Sequence, residues 1–161
     1  MKEARVSLLM RTASLKAARL IGRPTSLLLL FVAGMAHADD IAIKNAWTPP
    51  APEAGVDAVL GMVVTNSGAD PDALVRVSCP IANFSEKRQI DIGEGGKSAR
   101  EIKEIPIPAK STVTLNHDGF HIALLQTREK LEAGQEFECS VSFRHSGKVQ
   151  VQVHVAPKAP E

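Results

Sequence analysis

The chain has 161 residues, 19 Lys and Arg against 18 Asp and Glu for a formal net charge of +1, and only 4% aromatic residues. That balance hides an asymmetry. The first 38 residues carry Lys2, Arg5, Arg11, Lys16, Arg19 and Arg23 against Glu3 alone, which leaves 13 basic and 17 acidic residues in the other 123. An acidic remainder of about one domain's length argues against nucleic acid and against an anionic membrane surface as partners.

Met1 to Ala38 reads as a signal peptide. The basic residues form its n-region, Leu27 to Met35 its apolar h-region, and Ala36-His37-Ala38 an A-x-A cleavage site. The apolar run is far shorter than the roughly 20 residues of a membrane span. No cysteine follows it, which argues against a lipid-anchored precursor and for a soluble protein in the periplasm. An uncleaved anchor is the alternative, and Met10 is a second candidate start. Residues 39–156 then form one β-sandwich domain and 157–161 a flexible tail.

The rest reads as strands. Ile41, Ile43 and Ala46-Trp47 open the domain, and Thr48-Pro49-Pro50-Ala51-Pro52 stops the ladder because proline has no N–H to donate. Trp47 is expected to pack against the core. Val59 to Thr65 is a mostly apolar run closed by Asn66-Ser67-Gly68. Leu74 to Cys79 ends at Pro80, Lys87 to Ile92 gives way to Gly93-Glu94-Gly95-Gly96, and Ile102 to Ile107 ends at Pro108. Val113 with Leu115, and Phe120, Ile122 and Leu124, make two more short runs. Only Thr127 to Glu132 looks briefly helical. The end of the chain is plainest. Phe137, Cys139, Val141 and Phe143 alternate with polar residues, as do Val149, Val151, Val153 and Val155, with Ser146-Gly147 as a hairpin turn between them. Eight or nine short strands at this spacing predict an all-β sandwich or barrel.

Three groups of residues could carry chemistry. Cys79 and Cys139 each fall on the apolar face of a strand, and an even pair in an exported protein implies a disulfide. Two buried free thiols, or a soft-metal site, are the alternatives. His117-Asp118-Gly119-Phe120-His121 is the one place where two imidazoles come close in sequence. With Asp118 they could hold Cu(II) or Zn(II) at a loop tip; the other reading is two surface histidines. His145 and His154 are expected to face solvent. No serine sits in a nucleophile elbow, both cysteines read as core, and no glycine-rich loop precedes a helix, so the chain does not read as an enzyme.

The order of motifs resembles the PCu(A)C family of periplasmic copper chaperones. The matching residues are Asn45-Ala46-Trp47, Val64-Thr65-Asn66-Ser67-Gly68, Ile107-Pro108-Ala109, Gly119-Phe120-His121-Ile122-Ala123-Leu124 and Leu131-Glu132-Ala133-Gly134. They span Ile41 to Val155. The resemblance implies a cupredoxin-like Greek-key β-sandwich that binds Cu(I) and passes it to a cytochrome oxidase copper centre or its assembly factors. It also implies a ligand set of His, Met and His-x-Met. Aligned on His121, those positions hold Arg88, Ala99, His121 and Ala123. Met62 is the only methionine after the leader, and no His or Met lies between it and His117. Cu(I) favours thioether, thiolate and imidazole donors, so the inherited set is reduced to one imidazole. Two roles follow: a copper-handling protein with altered ligands, or a metal-free interaction module of the envelope. A small hydrolase is a distant third.

Overall fold

The computed structural model describes residues 40–159, and all ten regular elements there are β-strands. They are β1 (Ile41–Thr48), β2 (Ala58–Asn66), β3 (Asp72–Ser78), β4 (Ala82–Gly93), β5 (Gly96–Glu101), β6 (Ile105–Ile107), β7 (Ser111–Leu115), β8 (Phe120–Thr127), β9 (Glu136–Phe143) and β10 (Gly147–Val155). The signal peptide and cleavage site expected from the sequence lie outside the described residues.

β2 organises the sheet. One of its edges pairs with β1; along the other, Ala58–Leu60 pair with β8 and Met62–Asn66 with β7. The strand order is β5-β4-β8-β2-β1-β10-β9-β3-β6, with β7 off that path. β1 and β10 pair in parallel at Trp47–His154 and Thr48–Val155, and the other pairings are antiparallel. β3 and β4 are joined by a three-residue corner, Cys79 to Ile81, yet lie near opposite ends of that order. The sheet therefore folds over on itself into a sandwich. Its core holds Leu60, Met62, Val64, Leu74, Ile105, Ile107, Leu115, Ile122, Leu124, Val141 and Val153, none more than 1% exposed.

The β9–β10 hairpin forms as its alternation dictates, with Val149 opposite Val141, Val151 opposite Cys139 and Val153 opposite Phe137. Gly147 closes the turn with φ +79°, a backbone region costly for a side chain. Cys79 and Cys139 are bonded, S–S 2.05 Å, across the end of the β3–β9 ladder, which settles the three readings of that pair.

Four expectations need correction. The strands number ten among the described residues, not eight or nine. β5 was invisible because all six of its residues are exposed and none carries an apolar alternation. The run Ile102 to Ile107 is strand only over Ile105–Ile107. Thr127 to Glu132 is not helical; β8 runs through Thr127, and Leu131, 1% exposed, bridges to Ala51. Trp47 is neither in the core cluster nor among the partly buried side chains packed against it. A β-bulge at Asn45 (φ +52°) adds one residue to β1 between Lys44–Val63 and Trp47–Gly61. Such an insertion switches which side chains face inward. Ile41 points in before the bulge, Ala46 and Thr48 after it, and Trp47 is turned to the other face.

Candidate functional site

The register of β8, β4 and β5 places the four positions that the resemblance aligns with a ligand set. Arg88 of β4 lies directly opposite His121 of β8, and Glu86 opposite Ala123. On the other edge of β4, Ile90 lies opposite Ala99 of β5 and Arg88 opposite Glu101. Opposed residues share a face, and so do alternate residues along a strand. Arg88, Ala99, His121 and Ala123 therefore sit on one face of this three-stranded ribbon. The same face continues through Val59, opposite Ala123, to Gly61. There the indole of Trp47 lies so close that a Cβ on Gly61 would be 2.8 Å from its Nε1 and 2.9 Å from the Leu115 carbonyl oxygen. A lone glycine inside an apolar strand was the sequence signal for this close approach.

Of those four positions, only His121 offers a soft-metal donor. It is 4% exposed, and its Nδ1 lies 3.2 Å from the Gly119 carbonyl oxygen. Arg88 presents a cation directly opposite His121. Its Nη2 and Nε donate to Glu86 Oε2 at 2.8 and 3.1 Å. Glu86 was not singled out from sequence, although alternate residues of a strand are spaced for such a pair. Its carboxylate already occupies the guanidinium fork that a partner's acidic group would otherwise meet.

The His117-Asp118-Gly119-Phe120-His121 segment is a tight turn from β7 into β8. Asn116 N donates to the Phe120 carbonyl at 2.7 Å, and Asp118 N to Asn116 Oδ1 at 3.0 Å. His117 projects to solvent with Nε2 3.1 Å from Asp118 Oδ2, while Lys97 of β5 donates to Asp118 Oδ1 at 2.9 Å. Those contacts, the Lys97 hydrogen bond first, hold the Asp118 carboxyl below its usual pKa. Among the described residues no three His, Cys, Asp or Glu side chains are grouped to hold a metal. The trio of His117, Asp118 and His121 is thus not assembled: Asp118 turns to Lys97 and His117, and His121 is buried beneath the turn.

The face has a second feature. Phe84 and Ile92 are the two large apolar side chains most open to solvent among the described residues, at 62% and 78%. Both are even-numbered residues of β4, whose ladder to β8 runs without a register shift from Ala82 to Gln89. They therefore flank Glu86, Arg88 and Ile90 on the face that carries His121. His145 and His154 are exposed as expected, and His154 Nδ1 lies 2.8 Å from Glu136 Oε1.

Residues 41–155 match the family described as "Putative lipoprotein LpqE-like". The chain belongs to that family. A member-like relative, "Putative lipoprotein Lxx21020" of Leifsonia xyli subsp. xyli, is 29% identical over 120 residues, covering 74% of this chain and 71% of that one. Both cysteines of the LpqE-like chain described here are held in the disulfide. Its fold is that of PCuAC domains. The apo PCuAC domain from PmoF1 superposes with a TM-score of 0.62 at 21% identity, over 75% of this chain and 95% of that one. The copper-bound PCuAC domain from PmoF2 gives 0.61 at 25% identity, over 74% and 94%. Apo-DR1885 from Deinococcus radiodurans gives 0.57 at 19%, over 96% and 97%. The cupredoxin-like sandwich expected from the motif order is therefore the fold of this LpqE-like protein.

Proposed function

We infer that this LpqE-like protein works in the bacterial envelope, exported by a leader cleaved after Ala38. There it serves copper handling by protein contact, without carrying Cu(I) on the family's four-ligand set. One observation carries the reading. The face that should bind copper holds a single imidazole, His121, beside an Arg88–Glu86 ion pair, and is flanked by the exposed Phe84 and Ile92. A salt-bridged centre with apolar side chains around it suits recognition of another protein, whereas a guanidinium beside the only donor repels a cation. The partner is an envelope protein such as a cytochrome oxidase copper-centre subunit or an assembly factor. The role is not catalytic.

The first test is a Cu(I) titration of the purified protein under anaerobic, mildly reducing conditions against a chromogenic chelator. No stoichiometric complex should survive the chelator. Arg88→His, Ala99→Met and Ala123→Met introduced together should create one. Tight binding by the wild type would sink the reading. The second test is capture from periplasmic extract in chelator with wild type and Phe84→Ser/Ile92→Ser. Equal capture would remove the contact face.

A second reading keeps a metal, because His121 is a buried imidazole next to a turn that carries His117. These two side chains would hold Cu(II) or Zn(II) weakly. That reading wins if capture of a partner appears only when copper or zinc is added back, and if His121→Ala abolishes it.

A further inference from the structure

An open groove of about 630 Å³ lies between β3 and β4, sharing only Phe84 and Glu86 with the face that carries His121. It exists because the corner at Cys79 to Ile81 sends two consecutive strands into different parts of the sheet. β6 covers β3 only over Asp72–Leu74, so the following residues of β3 have an unpaired edge. β5 covers β4 only from Arg88 onward, with one further bond from Ile102 N to the Lys87 carbonyl. That bond fixes the direction of the backbone. Lys87 points its main-chain groups away from β8, so Asn83 and Ser85, in phase with it, point theirs the same way into the groove. No ladder partner meets them.

An unpaired edge is a template for another extended chain, and folded proteins usually protect one with charge or cover it. Here the charge is one-signed. Arg76, Lys87 and Arg128 line the groove, and among the described residues none of the three has an acidic partner. Arg128 Nε instead donates to Asn83 Oδ1 at 3.1 Å. The one carboxylate in the lining, Glu86, is held by Arg88. A net basic slot in a domain that is otherwise acidic selects for acidic segments. The exposed Phe84 stands at the rim.

We propose that this groove binds an extended, acidic peptide segment of another protein by strand addition to the free edge of β4 at Asn83 and Ser85. Main-chain hydrogen bonds supply the affinity, and Arg76, Lys87 and Arg128 select carboxylates on the incoming strand. Cys79, at the foot of the corner, is held in the disulfide with Cys139. The proposal does not depend on the metal face, since it uses the edge of β4 and not its outer side chains.

The test uses fluorescent eight-residue peptides of alternating Val and Glu, or Val and Lys, with the purified protein in an anisotropy titration. The Glu peptide should bind, more weakly as salt rises, and the Lys peptide should bind about tenfold or more weakly. N-methylation of alternate peptide amides should remove binding. Ser85→Pro should weaken it by about tenfold or more, since proline is tolerated at a free edge but has no N–H to give. Arg76→Glu/Lys87→Glu should do the same with an unchanged far-UV spectrum. If Ser85→Pro fails to fold, amide exchange of wild type reads the same point: the peptide should slow exchange at Ser85. Equal affinity for both peptides, no binding of either, or unprotected Ser85 at saturation overturns the proposal. Sedimentation showing a second copy of the chain in the groove also overturns it.

Discussion

Asp72 shows how much one side chain can hold here. It is 8% exposed, at the start of β3, and its carboxylate accepts from Ala73 N at 2.7 Å, His145 N at 3.0 Å, Ser146 N at 3.0 Å and Ser146 Oγ at 2.7 Å. Burial pushes its pKa up, but the Ser146 hydroxyl and the three backbone donors together outweigh that and leave it below the usual 3.8. The anion thus ties β3 to the β9–β10 turn. Asp72→Ala should cost about 1.5–3 kcal/mol, the range for hydrogen bonds to a charged group. Because the folded pKa lies below the unfolded one, this stability is present above the unfolded value and fades as pH falls through the folded one. Urea midpoints measured downward from neutral pH should therefore drop more steeply in wild type than in Asp72→Asn; parallel curves would show that the carboxylate is not the group responsible. Sequence reading passed over Asp72 because three of its four donor contacts come from His145 and Ser146, far along the chain. Trp47 was misread for a different reason. An apolar residue in phase with a core strand belongs inside unless a bulge intervenes, and the left-handed Asn45 was the only local sign of one. Gly61→Ala should force the indole or the Leu115 carbonyl aside, costing about 1–3 kcal/mol. The chain has one tryptophan, so its emission should shift with the loss; an unmoved spectrum and midpoint would show that the gap can absorb a methyl group.

At the scale of elements, legibility followed burial. β9 and β10 could be read directly because each has one buried and one wet face, and alternation is what such a strand requires. β2 could be found but not phased, since both its faces are largely covered and the apolar run is nearly continuous, whereas β8 was phased by Phe120, Ile122 and Leu124. β5 could not be found at all, and it matters most for the candidate site: it carries Ala99, and pairing with it fixes the outer half of β4. A strand held only by its ladder, with no residue in the core, should open before the strands it joins. Amide exchange should be fastest in the β4–β5 tip around Gly93–Gly96 and slowest in β8 and β2. Ile92→Ser, at a position 78% exposed, should change stability by no more than about 0.5 kcal/mol. A larger loss would mean that Ile92 packs against something in the free protein and is not available to a partner.

The whole molecule is closed by contacts that sequence order hides. Cys79 and Cys139 extend the ladder in which Ser78 lies opposite Ser140, with Cα atoms 4.4 Å apart. Their separation of 60 residues encloses β4 to β8. Every residue of the candidate face except Trp47, Val59 and Gly61 lies inside that loop. The cross-link joins strands that already pair, so it adds little to the native contacts and acts mainly on the unfolded chain, where it forbids the loop from opening. In the chain-entropy model a loop of this length contributes about 4 kcal/mol, a large part of the stability of a domain this size. Cys79→Ala/Cys139→Ala should then lower the denaturation free energy by up to about that amount. It should also raise the urea m-value, because the released chain exposes more surface when it unfolds. The far-UV spectrum and the exchange pattern of the folded state should stay as in wild type. A changed folded state with an unchanged m-value would mean that the bond instead holds the β3–β4 corner open, and peptide binding at Ser85 would then weaken together with the disulfide.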